Sequence, residues 1–296
     1  MTIRFEEIGE RLRAFRLGSG LSADEIASRI GISRTALYRF EKGRVAKIET
    51  LEKLAELLEV SLPTLLGVGV EYIGSAVSFF ERLRQIEAAA EHIVVLAGPV
   101  SFLLSSDAFV DTLEEVLGES IPDGTEGRAR GLDQVRELMV ILRRRKETYR
   151  ERRPGVLNLI SEAEMGRFLR NGLVGRLDLP PPVRKDRLAR SRKEAEHLVR
   201  LMEDEPIGVQ IGLVPATLPP TSFQIFRQPG RRVLTLSPFR LGEQPNIHAG
   251  VAMITSAPEA LALHEKTAAD LWRRARKGAA AAAAMRDLIA RHADTG

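Results

Sequence analysis

A glycine between two short amphipathic segments constrains the start of this sequence more than any other feature. The segment before it, "LSADEIASRI" (residues 21–30), places Ser22 three residues ahead of Glu25, the spacing of a helix-capping box. The segment after it opens on Ser33, which suits a second N-cap. Gly31 can adopt the positive φ that a tight turn between packed helices requires. The sequence therefore predicts two short helices joined in a defined geometry.

Three further helix-sized segments surround this pair. Residues 5–17 repeat apolar side chains at helical spacing, and "IETLEKLAELLEV" (residues 48–60) has an apolar stripe of its own. "SLPTLLG" (residues 61–67) has a proline in its first turn, as expected of a short fifth helix. An all-α domain of five helices is predicted over residues 1–68.

Positive charge is concentrated on the second helix of the pair. Residues 29–47 hold six Lys and Arg and one Glu, whereas the whole chain of 296 residues has a net charge of only +4. Leu37 and Phe40, three residues apart, are predicted to face the core. Four side chains share the opposite face: Arg34, Thr35, Tyr38 and Arg39. A localised basic face on a nearly neutral domain predicts contact with duplex DNA.

"LSADEIASRIGISRTALYRFEKG", followed by "TLEKLAELLEVSLPTLLG", resembles the DNA-binding domain of the phage repressor/Cro (XRE) family of helix-turn-helix regulators over about residues 8–67. The resemblance implies a double-stranded DNA operator bound by a homodimer that reads two half-sites about one helical turn apart. It places Arg34, Thr35 and Arg39 at base edges in the major groove. It also makes Glu41 the acidic residue that closes this helix inside the fold.

The chemistry of these side chains divides the predicted DNA contacts into two groups. Arginine can bond bidentately to guanine O6 and N7, and a threonine methyl can touch thymine. Hydroxyls and amides at helix N-termini suit phosphate oxygens, and cations just past a helix add salt-dependent phosphate contacts. The complete predicted set is Ser22, Ser33, Arg34, Thr35, Tyr38, Arg39, Lys42 and Arg44.

The remainder of the chain predicts a multidomain protein. Residues 69–91 are predicted to form a linker helix that carries part of the dimer interface. Residues 92–277 alternate strands and helices and end in closely spaced strands, which predicts an α/β (α+β) effector and dimerisation domain. Six consecutive alanines predict a C-terminal Ala-rich helix over residues 278–296, either peripheral or packed across a dimer.

From about residue 145 onward, the order of "GVLNLIS", "IGVQIGLVP", "SFQIFRQ" and a terminal helix resembles an effector domain found behind this helix-turn-helix in bacterial regulators. The resemblance implies signal sensing rather than catalysis, in some cases on a phospholipase D-like fold without catalytic residues. "HEKTAAD" (residues 264–270) comes near the H-x-K-x4-D motif of the phospholipase D enzymes, but only three residues separate Lys266 from Asp270. We therefore predict that His264 is packed, that no residue is catalytic and that the protein is not an enzyme.

Loops at strand ends are the predicted site of a small-molecule effector. "AGPVSFLLSSD" follows a strand and places Ser101, Ser105 and Ser106 near a helix N-terminus, which suits an anionic group. An ordinary connection with capping serines is the alternative. The basic segments at residues 143–153 and 184–193 favour solvated helix faces, with anion recognition in the effector domain or DNA phosphate contacts as alternatives.

Composition excludes several other classes. Zero cysteines rule out disulfides and thiolate metal sites, and the five scattered histidines predict no metal and no cofactor. The charged first residues lack the apolar run of a signal peptide, and no stretch of 18 apolar residues occurs, so the prediction is a cytoplasmic protein without a membrane partner.

The functional prediction is a sequence-specific transcriptional regulator. It binds its operator as a dimer through the recognition helix and is modulated by a signal at the C-terminal domain. A DNA-targeted phosphodiesterase or nuclease is one alternative, and an antitoxin-like regulator that binds a partner protein is another.

Overall fold

Serine caps and a positive-φ glycine delimit the helices at the start of the chain. The computed structural model describes residues 4–124, 126–216, 218 and 221–292. Ser22 and Ser33 cap the second and third helices, and Gly31 between them has a φ of 77°. The five predicted helices are present, and residues 1–3 of the predicted domain lie outside the described residues. They are α1 (Phe5–Ser19), α2 (Ala23–Ile30), α3 (Arg34–Glu41), α4 (Ile48–Leu57) and α5 (Leu62–Leu66).

A mixed sheet of seven strands organises the rest of the chain. Its strands are β1 (Val70–Ile73), β2 (His92–Leu96), β3 (Gly155–Ser161), β4 (Val209–Val214), β5 (Ser222–Gln228), β6 (Arg231–Ser237) and β7 (Ala252–Thr255). They lie in the order β1-β7-β6-β5-β2-β3-β4. The pairs among β2, β3 and β4 are parallel, whereas β5, β6, β7 and β1 pair antiparallel. The predicted mixture of parallel and antiparallel strands is therefore confirmed, and β2 lies where the sheet changes direction.

Helices cover the two faces of the sheet unequally. They are α6 (Ala76–Glu87), α7 (Asp107–Glu119), α8 (Arg128–Arg152), α9 (Glu162–Asn171), α10 (Pro181–Asp204), α11 (Pro258–Arg274) and α12 (Gly278–Arg291). One face packs on α11 through residues such as Leu96 and Phe223. The opposite face, with Ile93 and Phe226, packs on the larger set of helices. The alternation of side chains along each strand thus divides the core into two layers.

The Ala-rich helix predicted at the C-terminus is α12. It packs against α9, α10 and β4 of the same chain. Ala281 and Ala282 are fully buried, because a small side chain lets α12 approach its neighbours closely. Residues 293–296 of the predicted segment lie outside the described residues.

The prediction of a continuous linker helix over residues 69–91 is wrong. Its first part is strand β1, in which Glu71 and Ile73 are buried and Tyr72 between them is exposed. The strand forms because its backbone pairs with β7, a partner too distant in sequence for local periodicity to reveal. Only α6 is helical, and it is buried along nearly its whole length, so it offers no surface for a partner copy.

The five-helix unit is joined to the sheet through α1 and α6. Leu12 of α1 and Leu83 of α6 belong to the same hydrophobic core. Beside them, Glu71 accepts hydrogen bonds from Arg11 (Nε–Oε1 2.7 Å) and from Arg82 (Nε–Oε2 3.0 Å). Burial alone raises the pKa of Glu71, but the charges of Arg82 and Arg11 outweigh it and hold the pKa below its ordinary value. The two parts therefore share a buried, ionised contact.

No helix among the described residues is both long and apolar enough to cross a membrane.

Candidate nucleic-acid interface

The inner face of α3 is fixed by close packing on α1. Leu37 is fully buried, as predicted, and Phe40 is half-buried against the same core. At Gly9 the two helices approach so closely that a Cβ would lie 2.5 Å from the carbonyl oxygen of Phe40. Glu41 accepts hydrogen bonds from Arg16 at 2.5 and 3.1 Å. This pair joins the end of α3 to α1, in agreement with the structural interpretation of Glu41.

The outer face of α3 carries the predicted base-reading side chains. Arg34, Thr35 and Arg39 are all exposed on this face, and Lys42 and Arg44 are exposed just beyond the helix. In the part of the chain that the structure describes, no carboxylate pairs with Arg39, Lys42 or Arg44. Their positive charge is therefore available to phosphate groups or base edges.

Arg34 is held in place by two neighbours. Its Nη1 lies 3.0 Å from Asp24 Oδ2, and its Nη2 donates to the hydroxyl of Tyr38 at 3.2 Å. The side chains of Arg34 and Asp24 are both more than half exposed, so water screens this ion pair and it contributes little to stability. DNA can therefore replace Asp24 as the partner of this guanidinium at small cost.

Tyr38, predicted to share this face, is its least exposed member. It is half-buried, and its ring centroid lies 5.8 Å from Cζ of Arg16 and 5.4 Å from Cζ of Arg34. The ring thus fills the space between the buried and the exposed arginine. Its role in this arrangement is to orient Arg34.

The two capping serines offer unequal phosphate sites. At α2, the amide of Ser22 donates to Glu25 Oε2 at 2.8 Å, and a hydrogen bond from this backbone lowers the pKa of Glu25. Two carboxylates, Asp24 and Glu25, thus occupy the first turn of α2. The first turn of α3 contains no acidic residue, and Ser33 accepts from the backbone of the next turn. The N-terminus of α3 is therefore the better place for a phosphate.

The serines predicted to receive an effector are separated by the structure. Ser106 caps α7, and its amide donates to Glu194 Oε1 at 3.0 Å, so the chain's own carboxylate fills the predicted anion position. The hydroxyl of Ser105 donates to the carbonyl oxygen of Phe102 in the preceding 3₁₀ turn (Phe102–Leu104), and the carbonyl of Ser105 accepts from Lys146. Ser101 is also buried, but it lines a cavity.

His264, the residue nearest to a catalytic motif, is packed against the sheet. Its Nδ1 lies 2.8 Å from the carbonyl oxygen of Ala260, one turn earlier on α11. Its ring meets that of Phe223 edge-on at 4.9 Å between centroids. Within the described ranges, no group of three or more His, Asp or Glu side chains could hold a metal ion.

Two kinds of comparison agree with the geometry of α1 to α5. Residues 7–66 match the model of a helix-turn-helix domain family. The HTH-type transcriptional regulator SinR of Bacillus subtilis (strain 168) is 34% identical over 80 residues, which is 26% of this chain and 72% of that regulator. SinR of Bacillus licheniformis is similar to the same extent.

Proposed function

The chain belongs to the HTH-type transcriptional regulators, and from this we propose that it binds a specific DNA operator as a homodimer that reads the major groove with α3. The observation that carries the proposal is the outer face of α3. Arg34, Thr35 and Arg39 lie together on it, while the inner face is locked onto α1. A reading surface needs this combination, because side chains discriminate bases only when their backbone is held still.

Each side chain of this face has a distinct proposed contact. Arg34 and Arg39 bond to guanine O6 and N7, and the methyl of Thr35 touches thymine. Lys42 and Arg44 bind phosphates, and the α3 N-terminus at its serine cap binds another. Two copies are needed because one such small domain covers little of a duplex.

The C-terminal domain is proposed to modulate this binding without catalysing a reaction. The buried packing of α1 against α6 supports modulation, because a movement of α6 would displace α1 and the DNA-binding unit with it. A ligand that favours one arrangement of the domain would then change the spacing of the two α3 helices in a dimer. The packed ring of His264 supports a non-catalytic role.

Selection of bound sequences from a random DNA pool by the full-length protein tests the proposal. Arg34→Ala and Arg39→Ala should each relax the preference at particular base pairs, by about 1–3 kcal/mol per position. Lys42→Ala should weaken binding to all DNA sequences equally. It should also lower the slope of log affinity against log salt concentration by about one. Arg200→Ala, an exposed arginine on α10, is the matched control and should change nothing.

An unchanged base preference in both arginine variants, with their unfolding midpoints intact, would refute the assignment of α3. Hydrolysis of phosphodiester bonds that His264→Ala abolishes would instead favour the enzyme alternative.

A further inference from the structure

A small cavity lies at the carboxyl end of β2, where the sheet changes from parallel to antiparallel pairing. Its volume is about 50 Å³. Val95 of β2, Gln224 of β5 and Thr235 of β6 line it, together with Phe102 of the 3₁₀ turn and Arg145 of α8. In open α/β sheets, ligands commonly bind in the crevice beyond the carboxyl ends of the strands. The position of the cavity at the end of β2 therefore suits a ligand.

One wall of the cavity holds a buried guanidinium with an unused nitrogen. Arg145 is 3% exposed, and its Nε and Nη2 donate to Glu87 at 2.8 and 2.7 Å. The ring centroids of Phe80 and Phe102 lie 5.4 and 5.1 Å from its Cζ. The remaining nitrogen, Nη1, is buried and has no hydrogen-bond partner among the described residues. A charged donor that is buried in this way requires an acceptor.

The charge of the lining indicates what that acceptor is. Arg145 and Arg240 both line the cavity, and no acidic side chain does so among the described residues. Glu164 lies behind the wall at Gly98, where burial raises its pKa and so disfavours its negative charge. The surroundings therefore favour an anion.

We propose that this cavity binds a small carboxylate of one negative charge, which accepts a hydrogen bond from Arg145 Nη1. A volume of about 50 Å³ corresponds to roughly four water-sized spaces, enough for a ligand such as acetate or propionate. The phenylalanine rings suit its alkyl group. A phosphate carries about −1.5 to −2 charges, and Arg145, whose charge is already paired with Glu87, leaves most of that charge without a partner.

The site is connected to the DNA-binding unit through α6. Glu87, the partner of Arg145, is the last residue of α6. Gln85 on the same helix donates to the carbonyl oxygen of Glu10 in α1 at 3.0 Å, and Arg82 binds the carboxylate of Glu71. A ligand on Arg145 therefore acts next to the helix that carries α1. The binding site itself does not depend on the proposed function. Only the role of its ligand as the effector that modulates DNA binding rests on that function.

Thermal unfolding and calorimetric titration of the full-length protein without DNA test the site. The probes are sodium acetate, sodium phosphate and the neutral isostere acetamide, all compared with sodium chloride at equal ionic strength. Acetate at ten times its Kd should raise the unfolding midpoint by about 2–4 °C, whereas acetamide and phosphate should not. Absence of this rise, or tighter binding of phosphate than of acetate, overturns the proposal.

Paired substitutions distinguish loss of the ligand site from a general loss of stability. Glu87→Leu/Arg145→Met removes both buried charges together, which spares the fold an unpaired ion, and should weaken acetate binding at least tenfold. The matched control, Glu114→Leu/Arg143→Met, removes an exposed ion pair between α7 and α8 and should leave the affinity unchanged. Equal acetate affinity in the two double variants overturns the proposal.

A milder variant provides an independent check on the lining. Thr235→Val keeps the shape of the side chain, which is 1% exposed, and removes a hydroxyl from the cavity. It should weaken acetate binding several-fold without lowering the unfolding midpoint in chloride, and an unchanged affinity counts against the site. Since none of these measurements contains DNA, failure of the operator experiment and failure of this one are distinguishable.

Discussion

Replacing Glu71 by glutamine removes the one carboxylate that two buried guanidiniums share. The side chains of Arg11 and Arg82 are each 3% exposed, so both remain buried when their partner loses its charge. Breaking a buried ion pair from one side costs about 3–5 kcal/mol. Arg11 keeps Glu7 at 3.2 Å and Arg82 keeps a weaker contact with Glu10 at 3.9 Å, which places the expected loss near the lower end, about 3 kcal/mol.

The loss can be measured as a change in the unfolding midpoint. About 2.1 cal/mol/K per residue over 296 residues gives an unfolding entropy near 0.6 kcal/mol/K, so the midpoint should fall by about 5 °C at pH 7. The pKa of Glu71 is held below 4.5, so its stabilisation is complete above that pH and is lost as the pH falls through the folded-state pKa. The difference between wild type and Glu71→Gln should therefore shrink in acid.

Calorimetry of both proteins at pH 7 and pH 4 tests this reasoning. Glu91→Gln alters an exposed carboxylate next to β2 and serves as the matched control, with an expected change below about 0.5 kcal/mol. A loss under about 1 kcal/mol for Glu71→Gln, or a difference that does not diminish in acid, would show that the buried network contributes little.

Three further predictions concern α3 and α8. Gly9→Ala should destabilise the protein by about 1–3 kcal/mol, because its Cβ meets backbone oxygen at the end of α3, whereas Gly74→Ala, with open space around it, should not. Chemical denaturation of the two variants decides this. Burial lowers the pKa of Lys146 from 10.5 to about 8, so the unfolded state holds the proton more tightly. The wild type should therefore gain up to about 3 kcal/mol over Lys146→Met as the pH rises from 8 to 10.5, and parallel pH profiles would contradict this. Asp24→Asn should free Arg34 and strengthen operator binding by up to about fivefold at low salt, and weaker binding in a titration would argue against their competition.

Local signals predicted the DNA-binding unit well. The capping box at Ser22, the turn at Gly31 and the spacing of Leu37 and Phe40 all act within a few residues, so the sequence shows them directly. The pair of Arg34 with Asp24 was missed because it joins two helices across the turn, where no helical spacing rule applies.

Long-range strand pairing limited how much of the chain beyond the DNA-binding unit could be predicted from the sequence. Strand β1 depends on β7, and nothing inside residues 69–91 reports that partner. The burial of Arg145 and Lys146 could have been inferred, because they continue the apolar stripe of Leu142 at helical spacing. Their basic neighbours instead made the segment at residues 143–153 resemble a solvated face.

Strand β1 has a mechanical consequence for the way the protein searches DNA. Only residues 67–69 separate α5 from β1. The helical unit that contains α3 is therefore joined to the edge of the sheet by a short connection and not by a flexible linker. A flexible linker would let each copy sample many positions and tolerate half-sites at variable distances. In a dimer of protomers built in this way, the two α3 helices would stay at a fixed distance from each other. Such a dimer would bind half-sites at one separation and bind poorly to half-sites that are closer together or farther apart.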